Sequence, residues 1–253
     1  MKLLNLFKTK KQLIPFLTCG FPTKKDTVDI IKLLLDEGIR IIEIGIPFSD
    51  PVADGPTIQF SSYVALKNKI TINDVFEVVD KTLNYAEYFP VLMGYLNPAV
   101  IYGMERFIKD AKNSGVKGMI FADSIVEEKD IFYQLTKKYG ICSIFLLSTT
   151  TKLERRRLIY KFTEGFIYLI TLKGTTGAKE KLPEEFYKFV KIVRKETEHP
   201  LCAGFGISKP QQILPVLEYI DGFIVGSVII EHLKQDSTYR SLRNFIREFM
   251  KIL

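Results

Sequence analysis

Short apolar runs rich in β-branched residues alternate with longer amphipathic stretches from one end of the chain to the other. The runs fall near Leu13 to Thr18, Ile41 to Ile46, Val91 to Gly94, Gly118 to Ala122, Cys142 to Leu147, Phe166 to Ile170, Leu201 to Gly204 and Gly222 to Val225. They have the length and composition of strands buried on both faces. Between them, Thr27 to Asp36 sets Val28, Ile31, Leu34 and Leu35 at helical spacing, and similar patterns cover Val75 to Tyr85, Met104 to Lys112, Lys129 to Lys138, Glu185 to Lys195 and Ser237 to Lys251. Repeated βα units around a parallel sheet follow from this alternation. Glycine recurs where a helix should turn into a strand, at Gly38, Gly115, Gly140, Gly165 and Gly222.

Eight such units in 253 residues predict an α/β fold: one (β/α)8 barrel of the TIM type with a parallel eight-stranded core, a single domain over residues 1–253. A doubly wound open sheet would carry a Gly-rich dinucleotide fingerprint after its first strand, and Cys19-Gly20-Phe21-Pro22 does not fit one.

Composition narrows the function classes. The chain is 47% hydrophobic and 26% charged, as ordinary globular proteins are. Met1 to Lys11 lacks the apolar core of a signal peptide and no stretch reaches the length of a membrane span, so a cytoplasmic protein is expected. Cys19, Cys142 and Cys202 stand singly in apolar segments, which points to reduced thiols and no metal site. The net charge of +7 is spread along the helical stretches. Its densest cluster, Arg155-Arg156-Arg157, is flanked by Leu153, Leu158 and Ile159 at helical spacing, as on a solvated helix rather than a nucleic-acid groove.

In a barrel, chemistry belongs at the C-terminal ends of the strands and in the loops beyond them. Glu43 lies inside the apolar run Ile41 to Ile46, where an unpaired carboxylate is costly unless it is neutral or used. Eleven positions on, Asp54 sits in a loop stiffened by Pro47, Pro51 and Pro56. Two carboxylates in unlike environments can take opposite proton-transfer roles. Equally, Glu43 can close a salt bridge inside the barrel and Asp54 can open an Asp-Gly turn. Three Gly-bearing turns, Gly174 to Gly177, Gly204 to Gly206 and Gly226-Ser227, end successive strands and suit a phosphorylated ligand, or simple turn chemistry. Thr175-Thr176-Gly177 also has the look of a closing lid. His199 and His232 lie away from the strand ends, which leaves acid–base chemistry without a cofactor.

Pro47-Phe48-Ser49-Asp50-Pro51-Val52-Ala53-Asp54-Gly55-Pro56-Thr57-Ile58-Gln59 closely resembles the signature of the tryptophan synthase alpha chain family. Pro15 to Gly20, Asn97-Pro98, Gly174 to Gly177 and Gly204 to Ile207 follow in the family's order, so the resemblance covers almost the whole chain. It implies retro-aldol cleavage of indole-3-glycerol phosphate to indole and glyceraldehyde 3-phosphate, with Glu43 and Asp54 catalytic. It places an indole pocket on Phe16, Met93, Tyr95, Ala122, Leu146, Tyr168 and Phe205, with Thr176 on a lid over the substrate contacting Asp54 when closed. Phosphate would lie on Gly177, Gly206, Gly226 and Ser227. It implies a tryptophan synthase beta chain as partner in an α2β2 heterotetramer. Pyridoxal phosphate belongs to that partner and no cofactor to this chain, with coupling expected through Asp50, Thr176 and Asp123. Two segments depart from the family pattern: Asp123-Ser124-Ile125 carries no proline, and Ser148-Thr149-Thr150 replaces a proline-containing stretch. A stand-alone lyase releasing free indole and a non-catalytic activating barrel are the alternatives that remain.

Overall fold

Alternate positions of the strands divide between two apolar clusters, and that division sets the architecture. The computed structural model describes residues 3–127, 131–170, 182–204 and 206–253. The chain runs α1 (Leu3–Thr9), β1 (Gln12–Thr18), α2 (Lys24–Asp36), β2 (Ile41–Gly45), α3 (Pro56–Lys67), α4 (Ile72–Leu83), β3 (Phe89–Gly94), α5 (Leu96–Tyr102), α6 (Met104–Asn113) and β4 (Gly118–Phe121). It continues through α7 (Ile131–Tyr139), β5 (Cys142–Ser143), β6 (Leu146–Ser148), α8 (Leu153–Phe162), β7 (Ile167–Ile170), α9 (Glu184–Glu196), β8 (Leu201–Gly204), β9 (Gly222–Val225), α10 (Ser227–Gln235) and α11 (Arg240–Met250). After β8, two 3₁₀ turns, Pro210–Gln212 and Leu214–Val216, stand in place of a helix.

The strands pair in parallel in the order β5-β4-β3-β2-β1-β9-β8-β7-β6. Among the described residues there are nine strand segments where the pattern predicts eight, because the run Cys142 to Leu147 is split. The Ser143 carbonyl accepts from both Glu164 and Gly165, which turns the chain away from β4 and toward β7. Hydrogen bonding crosses the break all the same: Ile144 N–H donates to Met119 O at 3.0 Å, and Tyr168 N–H to Phe145 O at 3.1 Å. These bonds bring the two ends of the strand order together and close the ring among the described residues.

Inward-facing side chains, among them Ile14, Ile41, Val91, Met93, Ile120, Ile144, Tyr168 and Ile224, fill the barrel. Outward-facing ones such as Leu17, Ile42, Ile44, Leu92 and Leu169 pack against the helices. At the lower end Leu3, Leu6 and Phe7 of α1 close the barrel, with Phe7 edge-on to Phe166 at 6.2 Å between ring centres. Among the described residues no helix is long and apolar enough to cross a membrane.

Three of the five junction glycines, Gly38, Gly115 and Gly140, take the left-handed conformation expected of helix C-caps. Gly165 and Gly222 do not. Space is their reason, since a Cβ would lie 2.7 Å from Ile144 Cγ1 and 2.8 Å from Gln12 O respectively. The basic cluster forms part of α8, where Arg155 pairs with Glu127 and Arg156 with Glu196, as a solvated, ion-paired helix face should.

Candidate active site

Glu43 stands at the middle of β2, in register between Phe16 of β1 and Val91 of β3. It shares the inward face with Ile41, so the same alternation that buries isoleucine buries this carboxylate completely. Neither of its oxygens has a hydrogen-bond partner among the described residues. The salt bridge that the sequence left open is therefore not formed there. Burial, reinforced by the negative charge of Asp54, pushes the Glu43 pKa up to about 8. At neutral pH this carboxyl is protonated, and an uncharged acid is what an apolar interior tolerates.

Asp54 lies half-buried at the end of the loop between β2 and α3. Its N–H donates to the Pro51 carbonyl at 3.0 Å, and its own carbonyl accepts from Gln59 Nε2 at 2.9 Å. Gly55 then caps α3, with Pro56 at the first helical position. The turn therefore spans Pro51 to Asp54 and ends at Asp54, with Gly55 extended, rather than opening at an Asp-Gly step. Tyr95 Oη donates to Asp54 Oδ2 at 3.1 Å. Burial raises the Asp54 pKa to about 6 while the tyrosine hydrogen bond opposes that rise. Near neutrality the two carboxyls therefore differ: Glu43 holds its proton and Asp54 has largely lost it.

Asp54, Phe16, Met93 and Tyr95 line one small cavity at the upper ends of β1, β2 and β3, together with Thr18, Ile46, Ile58 and Ser62. Ala122 and Leu146 line a neighbouring, larger cleft with Asp123, Ser148 and Ile170. Tyr168 projects into the barrel, where its ring occupies the space that a side chain at residue 204 would need: a Cβ there would lie 2.3 Å from Tyr168 Oη. Gly204 is thus glycine for packing, a role the sequence reading did not separate from ligand binding. The fields of Glu43 and Asp54 both help to push the Tyr168 pKa up, which sets all three groups in one electrostatic neighbourhood.

The sequence missed Thr18, Ser61 and Ser62. Thr18 and Ser61 hydrogen-bond through their hydroxyls at 2.6 Å and fasten α3 to the end of β1. No signal placed the serines, because α3 has only weak helical periodicity and half of its buried positions are polar.

The Gly-bearing turns that the sequence offers for a phosphorylated ligand lie partly within the described residues. Gly206 has φ +76°. The loop beyond it is held by Gln212, whose Oε1 accepts from the Ser208 and Lys209 N–H groups at 2.7 Å each, and whose Nε2 donates to Gly206 O at 3.1 Å. Gly226 caps α10, and its carbonyl accepts from Ile229 and Ile230. The N–H groups ahead of those bonds, at Ser227 and Val228, lie outside the helical ladder, at the positive end of the helix. Thr176, Gly177 and Phe205 lie outside the described residues. Asp50 is exposed beside Ser49, with which its side chain hydrogen-bonds. Asp123 accepts from Leu96 N–H at 2.9 Å and so caps the start of α5. No group of three or more potential metal ligands forms among the described residues.

Comparison with known proteins gives a consistent result. The sequence model of the tryptophan synthase alpha chain family matches residues 4–251. The chain is similar to the tryptophan synthase alpha chain of Petrotoga mobilis, with 39% identity over 100% of this chain and 98% of that one. It is similar to that of Thermococcus kodakarensis, with 39% identity over 94% and 96%. A solved chain from the tryptophan synthase α2β2 complex of Pyrococcus furiosus superposes with a TM-score of 0.88 at 33% identity, covering 96% of this chain and 99% of the other.

Proposed function

This chain belongs to the tryptophan synthase alpha chain family, and on that premise we propose that Glu43 and Asp54 carry its reaction. It is a lyase of tryptophan biosynthesis that splits indole-3-glycerol phosphate into indole and glyceraldehyde 3-phosphate. The bond that breaks joins indole C3 to the glycerol carbon bearing a hydroxyl. Indole C3 must gain a proton, the hydroxyl must lose one, and the ring nitrogen carries positive charge in between. Glu43, protonated at neutral pH, gives its proton to C3. As a carboxylate it then takes the hydroxyl proton as the aldehyde forms, and returns to its starting state. Asp54, ionised, accepts the N–H hydrogen bond of the indolenine and offsets its charge. The observation that carries this reading is a fully buried carboxyl with no hydrogen-bond partner among the described residues, in the same electrostatic neighbourhood as a second carboxyl.

The indole ring lies among Phe16, Met93, Tyr95, Ala122, Leu146, Tyr168 and Phe205. Phosphate rests on Gly177, Gly206, Gly226 and Ser227, and Thr176 closes over the substrate. The partner is a tryptophan synthase beta chain, which brings pyridoxal phosphate, in an α2β2 assembly; this chain needs no cofactor and acts in the cytoplasm. Support for that docking comes from exposed apolar side chains on the rims of consecutive strands: Val52 after β2 at 80% exposure, Val100 and Ile101 on α5 at 58% and 78%, and Ile125 after β4. Asp50 and Asp123 lie in the same loops.

Indole release from indole-3-glycerol phosphate tests this reading, with wild type measured beside Glu43→Ala and Asp54→Ala, with and without a beta chain. Expected are slow release alone, faster release with the partner, and a loss of about 10²-fold to 10⁴-fold in each variant. Wild-type rates in either variant would remove the catalytic assignment, and full activity without acceleration by a beta chain would favour a stand-alone lyase.

A further inference from the structure

Tyr95 follows β3 and stands at the N-cap of α5, where its ring and its hydroxyl do different things. The ring packs against Phe48, 5.2 Å between centres, and lines the cavity beside Asp54. The hydroxyl accepts from Ala53 N–H at 3.0 Å and donates to Asp54 Oδ2 at 3.1 Å. One oxygen therefore grips the backbone of one residue and the side chain of the next, in a loop whose neighbouring residues Val52 and Ala53 are exposed. Two of the loop's other bonds, Asp54 N–H to Pro51 and Gln59 to the Asp54 carbonyl, stay within the loop and the start of α3. They fix the loop's shape without fixing its seat on the barrel. The mount of Tyr95 is itself held, because the next residue, Leu96, donates its N–H to Asp123.

We infer that Tyr95 is a positioning residue: its hydroxyl seats the Asp54 loop against the end of β3 and holds the Asp54 carboxylate where the indole nitrogen arrives. This rests on the role proposed above for Asp54. Placement within a fraction of an ångström matters, since a shift of about 1 Å in a catalytic group can cost roughly 10²-fold in rate. The hydrogen bond also favours the ionised carboxylate. Besides Tyr95, the titratable groups whose fields couple to Asp54 are Glu43 from β2 and Tyr168 from β7, while Asp123 acts on the Tyr95 hydroxyl. Loss of the hydroxyl leaves all of these in place and removes the hydrogen bond that lowers the Asp54 pKa.

The test is steady-state indole release by wild type, Tyr95→Phe and Asp54→Asn over roughly pH 5 to 9. Phenylalanine keeps the ring packing and removes only the hydroxyl. In Tyr95→Phe, kcat should fall about 10-fold to 100-fold with KM nearly unchanged, and the acidic limb of the profile should move to higher pH. Asp54→Asn should be inactive throughout. A Tyr95→Phe enzyme with wild-type kcat and acidic limb, or one whose whole loss lies in KM, overturns the inference and leaves the role of Asp54 standing. An active Asp54→Asn overturns both.

Discussion

The two ends of the barrel interior solve opposite problems. At the lower end Ile14, Ile41, Phe89 and Phe166 meet Leu3, Leu6 and Phe7 of α1 in an apolar plug, and the buried amide of Gln12 there is satisfied by the Leu6 and Lys10 carbonyls. At the upper end, within the same strands, Glu43 interrupts the apolar row without a hydrogen-bonding partner among the described residues, and Asp54 stands close enough to raise its pKa. The lower end is built as a core should be, with apolar surface removed from water and, among the described residues, no buried polar atom left without a partner. The upper end gives up stability to keep a carboxyl in its neutral form, which is the state a proton donor needs. Function sits where the rules of core packing are broken.

That contrast can be broken from either side. The larger effect on stability is expected below: Ile14→Ala should cost about 2–5 kcal/mol, by lost burial plus the cavity left behind. Because no titratable group is involved, that cost should be the same across the pH range and kcat should change little. Urea unfolding at several pH values measures it, and a loss of activity without loss of stability would show that the two ends are not separate.

A smaller and opposite effect is expected above. The folded-state pKa of Glu43 is raised from its ordinary 4.5 to about 8, so its contribution to stability is fully present below the ordinary value and is lost as pH rises through about 8. Between those limits wild type should lose roughly 3 kcal/mol by pH 7 relative to Glu43→Gln, whose amide does not titrate. A pH-independent difference between the two proteins would mean that Glu43 has a partner, and that the upper end is as well satisfied as the lower.

The strands were legible because each is apolar on both faces, so even short runs stood out between amphipathic helices. Their C-terminal ends then located the site, and Glu43 was conspicuous as the one charge inside such a run. What escaped has physical reasons. The fifth strand reads as continuous, because a carbonyl that accepts from two residues of the bend ahead of β7 leaves no mark in its own sequence. Helices α1, α3, α5 and α10 are short or weakly periodic; α3 buries Ser61 and Ser62 on its inner face. Gly204 and Gly206 look alike in sequence, yet one makes room for Tyr168 and the other takes a left-handed turn. The Tyr95 to Asp54 bond joins positions 41 apart, and neither residue's local pattern points to the other.

The protonation state of Glu43 is the point on which everything above depends, and infrared difference spectroscopy reads it directly. The spectrum of wild type minus Glu43→Gln should contain the carbonyl band of a neutral carboxylic acid at pH 7, disappearing with a midpoint near 8. Absence of that band at neutral pH, with a midpoint near the ordinary carboxylate value, would show that Glu43 is ionised in the folded protein and cannot be the proton donor.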